Sequence, residues 1–234
     1  DLHLSIRRQR QMCIRDRCST CQGVMSQAEY RLENEEYRAQ INETLAEEGL
    51  EYTGKTPTRH ILWIIVEEIG EKKFKALVKR QLEGLRLAPF YGCYLVRPSK
   101  ALKFYEKPER ETCLEDLTEW VGATVVDFPG KTACCGFPIV TINEKASLKM
   151  VGNHTSTAKD LGAAAMVTPC PLCHLNLDQY QDRAAWMMER EIDLPIIHVP
   201  QLVGLALGLD PEELKINKHV ISTKKLLTEI SLKP

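Results

Sequence analysis

Cysteines are the residues whose spacing in this chain suggests chemistry. Cys93 is followed after 40 residues by the adjacent pair Cys134-Cys135, and after a further 34 residues by Cys170-x-x-Cys173. Cys-x-x-Cys and Cys-Cys spacings in a chain expected to be intracellular indicate metal binding or redox chemistry rather than a disulfide scaffold. One single cysteine and two pairs thus make a set of five thiols. We expect these five to belong to one site. A further Cys-x-x-Cys, Cys18-Ser-Thr-Cys21, lies much earlier in the chain.

The amino-acid composition and net charge limit which kinds of partner the protein is expected to bind. The 234 residues are 44% hydrophobic and carry a formal net charge of -1, which gives no long-range attraction for nucleic acid. No apolar run reaches the roughly 18 residues that a membrane helix needs. We therefore expect a cytoplasmic protein with no nucleic-acid partner and no direct membrane span, associated with a membrane only through partner subunits.

The first 17 residues differ in character from the rest. The chain begins at Asp1, and residues 6–17 contain five arginines with no period suited to helix or strand. We expect residues 1–17 to be a non-native or disordered leader, and we leave them, with Cys13, out of the fold prediction.

Strand and helix patterns alternate from residue 85 onward. Short β-branched or apolar runs predict strands, and polar-apolar segments between them predict helices; the strands are expected at 87–91, 123–128, 163–167 and 194–199. This alternation predicts an α/β fold with a mainly parallel sheet flanked by helices. The cysteines follow the first three of these strands. Because the carboxyl ends of parallel strands meet at one sheet edge, the three cysteine loops should converge there.

Two parts of the chain repeat. Cys18-x-x-Cys21 opens a helix as Cys170-x-x-Cys173 does, and His60 and His198 begin similar apolar segments that both have glycine at the eleventh place. The repeat predicts a duplicated fold in which residues 18–84 are the remainder of a first, incomplete unit with a helical connector. Residues 85–234 are then a complete second unit. The two histidines are expected to share a packing or capping role.

Several chemistries fit the thiols alone. A zinc site built from the four Cys-x-x-Cys thiols, Cys18, Cys21, Cys170 and Cys173, leaves the adjacent pair unexplained. A thioredoxin-like dithiol at Cys170 and Cys173 has no use for Cys93. An iron–sulfur cluster uses all five thiols, although five exceed the four of an ordinary cluster. Cys113 falls within an expected helix and is interpreted as a structural thiol.

The cysteine pattern resembles a known family. Cys93, Cys134-Cys135-Gly136 and Cys170-x-x-Cys173 are similar to the cysteine-rich CCG domain found in the B subunit of heterodisulfide reductase. The resemblance extends from about Cys18 to the C-terminal region. It implies that each of two CCG units binds a noncubane 4Fe-4S cluster through five cysteines, and that a disulfide is cleaved between the clusters by one-electron steps. The resemblance thus implies an oxidoreductase acting on a sulfur group, of the kind used in methanogenesis.

Site residues carry over from the family by position. Cys93, Cys134, Cys135, Cys170 and Cys173 would hold one cluster, and Cys18 and Cys21 would be two of the five ligands of the other. The resemblance also implies two partners, a flavin-containing subunit and a ferredoxin-like iron–sulfur protein. The other ligands of the first cluster would precede residue 1, so we expect an amino-terminally truncated chain that is inactive alone.

Two alternatives remain at this point. The chain would be a CCG electron-transfer subunit of a quinone- or organic-acid-linked oxidoreductase, or a zinc-stabilised binding module. The first alternative has the same iron–sulfur cluster but a different substrate. The second has neither the cluster nor a disulfide substrate.

Overall fold

A four-stranded parallel sheet organises the second half of the chain. The structure, a computed structural model, describes residues 14–230. The sheet contains β3 (Arg86–Pro89), β4 (Thr124–Val125), β5 (Ala165–Thr168) and β6 (Ile196–His198), in the order β4-β3-β5-β6 with every pair parallel. The α/β fold with a parallel sheet is therefore confirmed. β4 is shorter than expected, and it lies at the sheet edge.

Helices cover the sheet on both faces. In chain order they are α1 (Ser19–Leu32), α2 (Glu35–Ala46), α3 (Ile61–Trp63), a π-helical segment Ile64–Ile69, α4 (Gly70–Leu77), α5 (Ser99–Leu102), α6 (Cys113–Trp120), α7 (Glu144–Asp160), α8 (Pro171–Gln179), α9 (Gln181–Met187), α10 (Val199–Ala206) and α11 (Lys224–Glu229). On β5, Ala165 and Val167 pack into one core and Met166 into the other. This alternation follows from the two-residue period of a strand. Within residues 14–230, no helix is both long and apolar enough to cross a bilayer.

The segment after Cys21 forms two helices. α1 ends at Leu32, and the side chain of Asn34 then accepts a hydrogen bond from the backbone N–H of Tyr37 at 2.9 Å. Asparagine is among the strongest N-cap residues, so it starts a new helix at Glu35.

A second, smaller strand pair precedes the sheet. β1 (Ile14–Asp16) pairs in parallel with β2 (Thr58–His60). β1 lies within the leader expected to be non-native or disordered, so that expectation differs from the structure at residues 14–16. Residues 1–13, including Cys13, lie outside the described residues.

The two strand pairs repeat one register. Asp16 lies opposite His60 in the first pair, and Thr168 lies opposite His198 in the second. In each case the histidine ends its strand and is followed at once by a helix, α3 or α10. The predicted duplication would account for this match, and it remains a prediction.

The loops after β1 and β5 match as well. The N–H of Cys18 donates to Oδ1 of Asp16 at 3.0 Å, and the N–H of Cys170 donates to Oγ1 of Thr168 at 3.4 Å. Each strand therefore ends in a polar side chain that accepts a hydrogen bond from the backbone N–H of the first cysteine of a Cys-x-x-Cys loop. Both loops lead directly into helices, α1 and α8.

His60 and His198 are capping histidines, in agreement with the sequence. Nδ1 of His60 accepts the N–H of Leu62 at 3.2 Å, and His198 forms a reciprocal cap with Gln201. His60 is fully buried, and burial lowers its pKa to about 3. Burial likewise lowers the pKa of His198 to about 4.

The buried cap predicts acid sensitivity. Because the folded-state pKa of His60 lies below the unfolded value near 6.5, its stabilising effect is complete above about pH 6.5 and is lost as pH falls. At about pH 5 this loss amounts to about 2 kcal/mol. Urea unfolding at neutral pH and at about pH 5 should show a smaller fall in stability for His60→Asn, which keeps a cap acceptor but does not titrate. Equal falls in both proteins would contradict this assignment.

Candidate metal centre

Five cysteines lie at one edge of the sheet, on loops that follow three strands. Cys93 follows β3, the pair Cys134-Cys135 follows β4, and Cys170 lies two residues beyond β5. Parallel strands place these loops together at their carboxyl ends. Cys173 lies on the first turn of α8, which starts at Pro171.

The five cysteines lie close together, and four of them, Cys93, Cys135, Cys170 and Cys173, line one cavity. Cys134 lies close enough to Cys93 and Cys135 to affect the pKa of both thiols. Cys173 lies close enough to Cys135 and Cys170 to affect the pKa of both thiols. These neighbouring cysteines come from all three loops, and the most distant of them in sequence, Cys93 and Cys173, are 80 positions apart. The convergence expected from the strand order is present in the structure.

The five cysteines differ in how deeply they are buried. Cys135 and Cys170 are 2% exposed and Cys173 is 4% exposed, whereas Cys93 and Cys134 are partly exposed. The cavity between them is almost wholly apolar, and aromatic and proline side chains, including Tyr91, Phe137 and Pro138, form part of its wall. One side of the site is therefore dry, and the other faces solvent.

The thiols differ in acidity. Hydrogen bonds from Cys134 and Cys173 lower the pKa of Cys135 to about 3. A hydrogen bond from Cys173 lowers the pKa of Cys170 to about 6. The same contacts raise the pKa of Cys134 and Cys173, while burial raises the pKa of Cys93. The site thus favours thiolates, the ligand form of cysteine, at two of its five positions near neutral pH.

Backbone N–H groups also point at the sulfurs of the adjacent pair. The N–H of Gly136 donates to Sγ of Cys134 at 3.4 Å, and the N–H of Phe137 donates to Sγ of Cys135 at 3.5 Å. N–H donors stabilise thiolate charge without adding a competing titratable group. The turn after the pair is therefore part of the site.

Two side chains hold the carbonyls of the pair. Nδ2 of Asn176 donates to the Cys135 carbonyl at 2.8 Å, and Nε2 of His154 lies 3.0 Å from the Cys134 carbonyl. Asn176 is fully buried. Its role was not predicted from the sequence, although it lies three residues after Cys173 on one helix and so shares its face.

Glycines let the loops approach the sulfurs. Gly92 has φ +70°, and a Cβ there would lie 2.7 Å from Sγ of Cys173. Gly136 has φ +96°, and a Cβ there would lie 2.8–3.1 Å from atoms of Ser147, including its backbone. Both positions exclude larger residues by conformation and by space.

The other cysteines lie apart from this set. Cys18 is partly exposed but close enough to Cys170 to interact electrostatically, and Cys21 is exposed. Burial raises the pKa of Cys18 to about 11. Cys113 is buried in the core, where its Sγ donates to the Arg110 carbonyl at 3.2 Å, as suits a structural thiol.

The donor set suits an iron–sulfur group. All five candidate ligand atoms are sulfurs, as an iron–sulfur cluster requires. Two of the thiols have a lowered pKa, and backbone N–H groups donate to two of the sulfurs. Among residues 14–230, no group of three or more His, Cys, Asp or Glu side chains is arranged around the position of a metal ion.

A parallel α/β sheet with five cysteines on the loops at its strand ends defines a cysteine-rich α/β protein. Residues 87–178 match the Cysteine-rich domain family, CCG. The 8-methylmenaquinol:fumarate reductase membrane anchor subunit of Wolinella succinogenes is 37% identical over 224 residues, which cover 96% of this chain and 78% of that protein. The B subunit of the Ferredoxin:CoB-CoM heterodisulfide reductase of Methanosarcina mazei is 31% identical over 216 residues, covering 91% of this chain and 71% of that one.

The chain belongs to the family of CCG proteins that includes the B subunit of heterodisulfide reductase. These relatives are reductase subunits, so the chain is an oxidoreductase subunit, and the CCG domain implies an iron–sulfur cluster. A hypothetical protein from Helicobacter pylori shares the fold, with a TM-score of 0.65 and 16% identity. That likeness covers 84% of this chain and 35% of the other.

Proposed function

We propose that this chain is the iron–sulfur catalytic subunit of a disulfide reductase of the CoB–CoM heterodisulfide type. In this proposal Cys93, Cys134, Cys135, Cys170 and Cys173 hold a noncubane 4Fe-4S cluster. The observation that supports the proposal is that Cys93, Cys135, Cys170 and Cys173 line one cavity at the sheet edge, with Cys134 directly beside Cys135. A zinc site of four thiols leaves the fifth without a role.

The bound cluster would supply electrons one at a time, whereas reduction of a disulfide needs two. Residues of the chain orient and insulate the site. Asn176 and His154 hold the backbone of the adjacent cysteine pair, and Phe137 covers it. The buried side keeps water away from the sulfurs, and the exposed edge near Cys93 and Cys134 is where a substrate would approach.

We assign Cys18 and Cys21 to a second cluster, as two of its five ligands. Support comes from the repeated register, which gives the loop after β1 the same relation to its strand pair as the loop after β5. A second centre beside the first would supply the second electron. A ferredoxin-like iron–sulfur subunit and a flavin-containing subunit would deliver electrons, and any membrane association would come through partner subunits.

A quinone-linked electron-transfer subunit is the second candidate. It is favoured by the 37% identity to the Wolinella succinogenes protein, whose name specifies 8-methylmenaquinol:fumarate reductase. Both candidates use the same five thiols, and they differ only in what approaches the exposed edge.

Anaerobic reconstitution tests the proposed cluster. We expect brown protein with about four irons for the five-cysteine site. Colourless protein that retains stoichiometric zinc would contradict the cluster. For the substrate, CoB–CoM heterodisulfide should change the electron paramagnetic resonance signal of the one-electron-oxidised protein, and a menaquinone analogue should leave it unchanged. The reverse pattern would favour the second candidate.

A further inference from the structure

The first Cys-x-x-Cys loop reaches into the site formed by the other cysteines. Ser19 and Thr20, the two residues between Cys18 and Cys21, line the same cavity as Cys93 and Cys173. They begin α1, which is 14 residues long. Two hydroxyl-bearing residues of the first Cys-x-x-Cys loop therefore line the cavity of cysteines that lie much later in the chain.

Thr20 makes a direct contact. Its Oγ1 lies 3.5 Å from Sγ of Cys170, within hydrogen-bond distance for sulfur. Cys170 is 2% exposed, so this contact is shielded from water. The hydroxyl of Thr20 is a better hydrogen-bond donor than the thiol of Cys170. When Cys170 is a thiolate, its sulfur can only accept.

Ser19 is the second observation. Its side chain is fully buried, and among the described residues its Oγ has no hydrogen-bond partner. Burying an unpaired hydroxyl is unfavourable, so a native position of this kind calls for an explanation. Ser26, further along the same helix, is also buried, but its Oγ accepts a hydrogen bond from Nε2 of Gln22 at 2.9 Å. Of these two buried serines, Ser19, whose hydroxyl has no partner, is the one that lines the cavity.

We infer that Ser19 and Thr20 are positioning residues for the iron–sulfur group, with Thr20 donating to the Cys170 sulfur and Ser19 donating to a sulfur of the group itself. The inference rests on the cluster in the proposed function. Hydrogen bonds to sulfur withdraw electron density and stabilise the reduced state, so both hydroxyls raise the midpoint potential. The first Cys-x-x-Cys loop thereby tunes the centre built by the second half of the chain.

Four variants of the full chain test this inference. Thr20→Val and Ser19→Ala remove one hydroxyl each, Thr20→Ser keeps it, and Ser26→Ala removes a buried hydroxyl of the same helix away from the cysteines. After anaerobic reconstitution, iron content and midpoint potential are measured by a titration followed with electron paramagnetic resonance. Thr20→Val and Ser19→Ala should each lower the ratio of reduced to oxidised centre, at a fixed potential, by about threefold to tenfold. A tenfold change corresponds to about 59 mV for a one-electron couple.

The controls separate the possible outcomes. Thr20→Ser and Ser26→Ala should keep the wild-type potential and iron content. Wild-type potentials in both Thr20→Val and Ser19→Ala, with full iron content, would overturn the inference while leaving the proposed cluster intact. An equal shift in Ser26→Ala would also overturn it, because the effect would then come from helix packing. Wild-type protein that binds no iron would instead overturn the proposed function together with this inference.

Discussion

Replacing Cys135 with serine should reduce the iron bound at the five-cysteine site at least about tenfold. Cys135 lines the cavity of the site and is 2% exposed. Hydrogen bonds from Cys134 and Cys173 lower its pKa to about 3, which makes it the strongest thiolate of the set. A serine hydroxyl stays protonated near neutral pH and is a poor ligand for iron. Iron content and visible absorbance after anaerobic reconstitution measure the loss.

Cys113→Ser is the matched control. Cys113 is as buried as Cys135, but its Sγ donates to the Arg110 carbonyl, a bond that a serine hydroxyl can also make. This variant should bind iron as the wild type does, with stability lower by about 1 kcal/mol at most. Equal iron loss in both variants would mean that the ligands are assigned wrongly.

Gly136→Ala should destabilise the fold by about 2–5 kcal/mol. Part of this cost comes from φ +96°, which alanine adopts only with strain, and part from the clash of Cβ with the Ser147 backbone. The site should also lose iron, because the N–H of Gly136 is the donor to Cys134 and would be displaced. Urea unfolding and iron content are the two measurements.

Gly49→Ala isolates the conformational part of that cost. Gly49 has φ +68°, but no atom lies within 4 Å of where its Cβ would be. We expect a loss of about 1–2 kcal/mol and unchanged iron binding. If the two alanine variants lose the same stability, the close approach to Ser147 has no energetic effect and the glycine is needed only for its backbone angle.

The convergence of the cysteine loops was predictable because it depends on strand order. Each strand from β3 to β5 carries β-branched or apolar residues that mark it in the sequence, and parallel pairing then places the loops together. The strand lengths were less predictable. At β4, Val126 and Phe128 are buried while Asp127 is exposed, so the alternation continues although regular pairing has ended.

Features that depend on distant contacts were not predictable. β1 contains three residues, too few to show a period, and it is a strand because it pairs with β2 more than 40 residues away. The contact of Thr20 with Cys170 spans 150 residues, and no local pattern marks it. Asn176 differs, since its spacing from Cys173 on α8 was a signal that the sequence contained. The division into a leader and two units remains a prediction.

The depth of the cysteine site also bears on how the protein matures. Cys135, Cys170 and Cys173 are almost completely enclosed, and α1 closes one side of their cavity through Ser19 and Thr20. The open side at Cys93 and Cys134 is therefore the side from which iron and sulfide would reach the three enclosed thiols. Protein purified without the cofactor would hold five neighbouring thiols, with two of them open to solvent, and would be prone to oxidation.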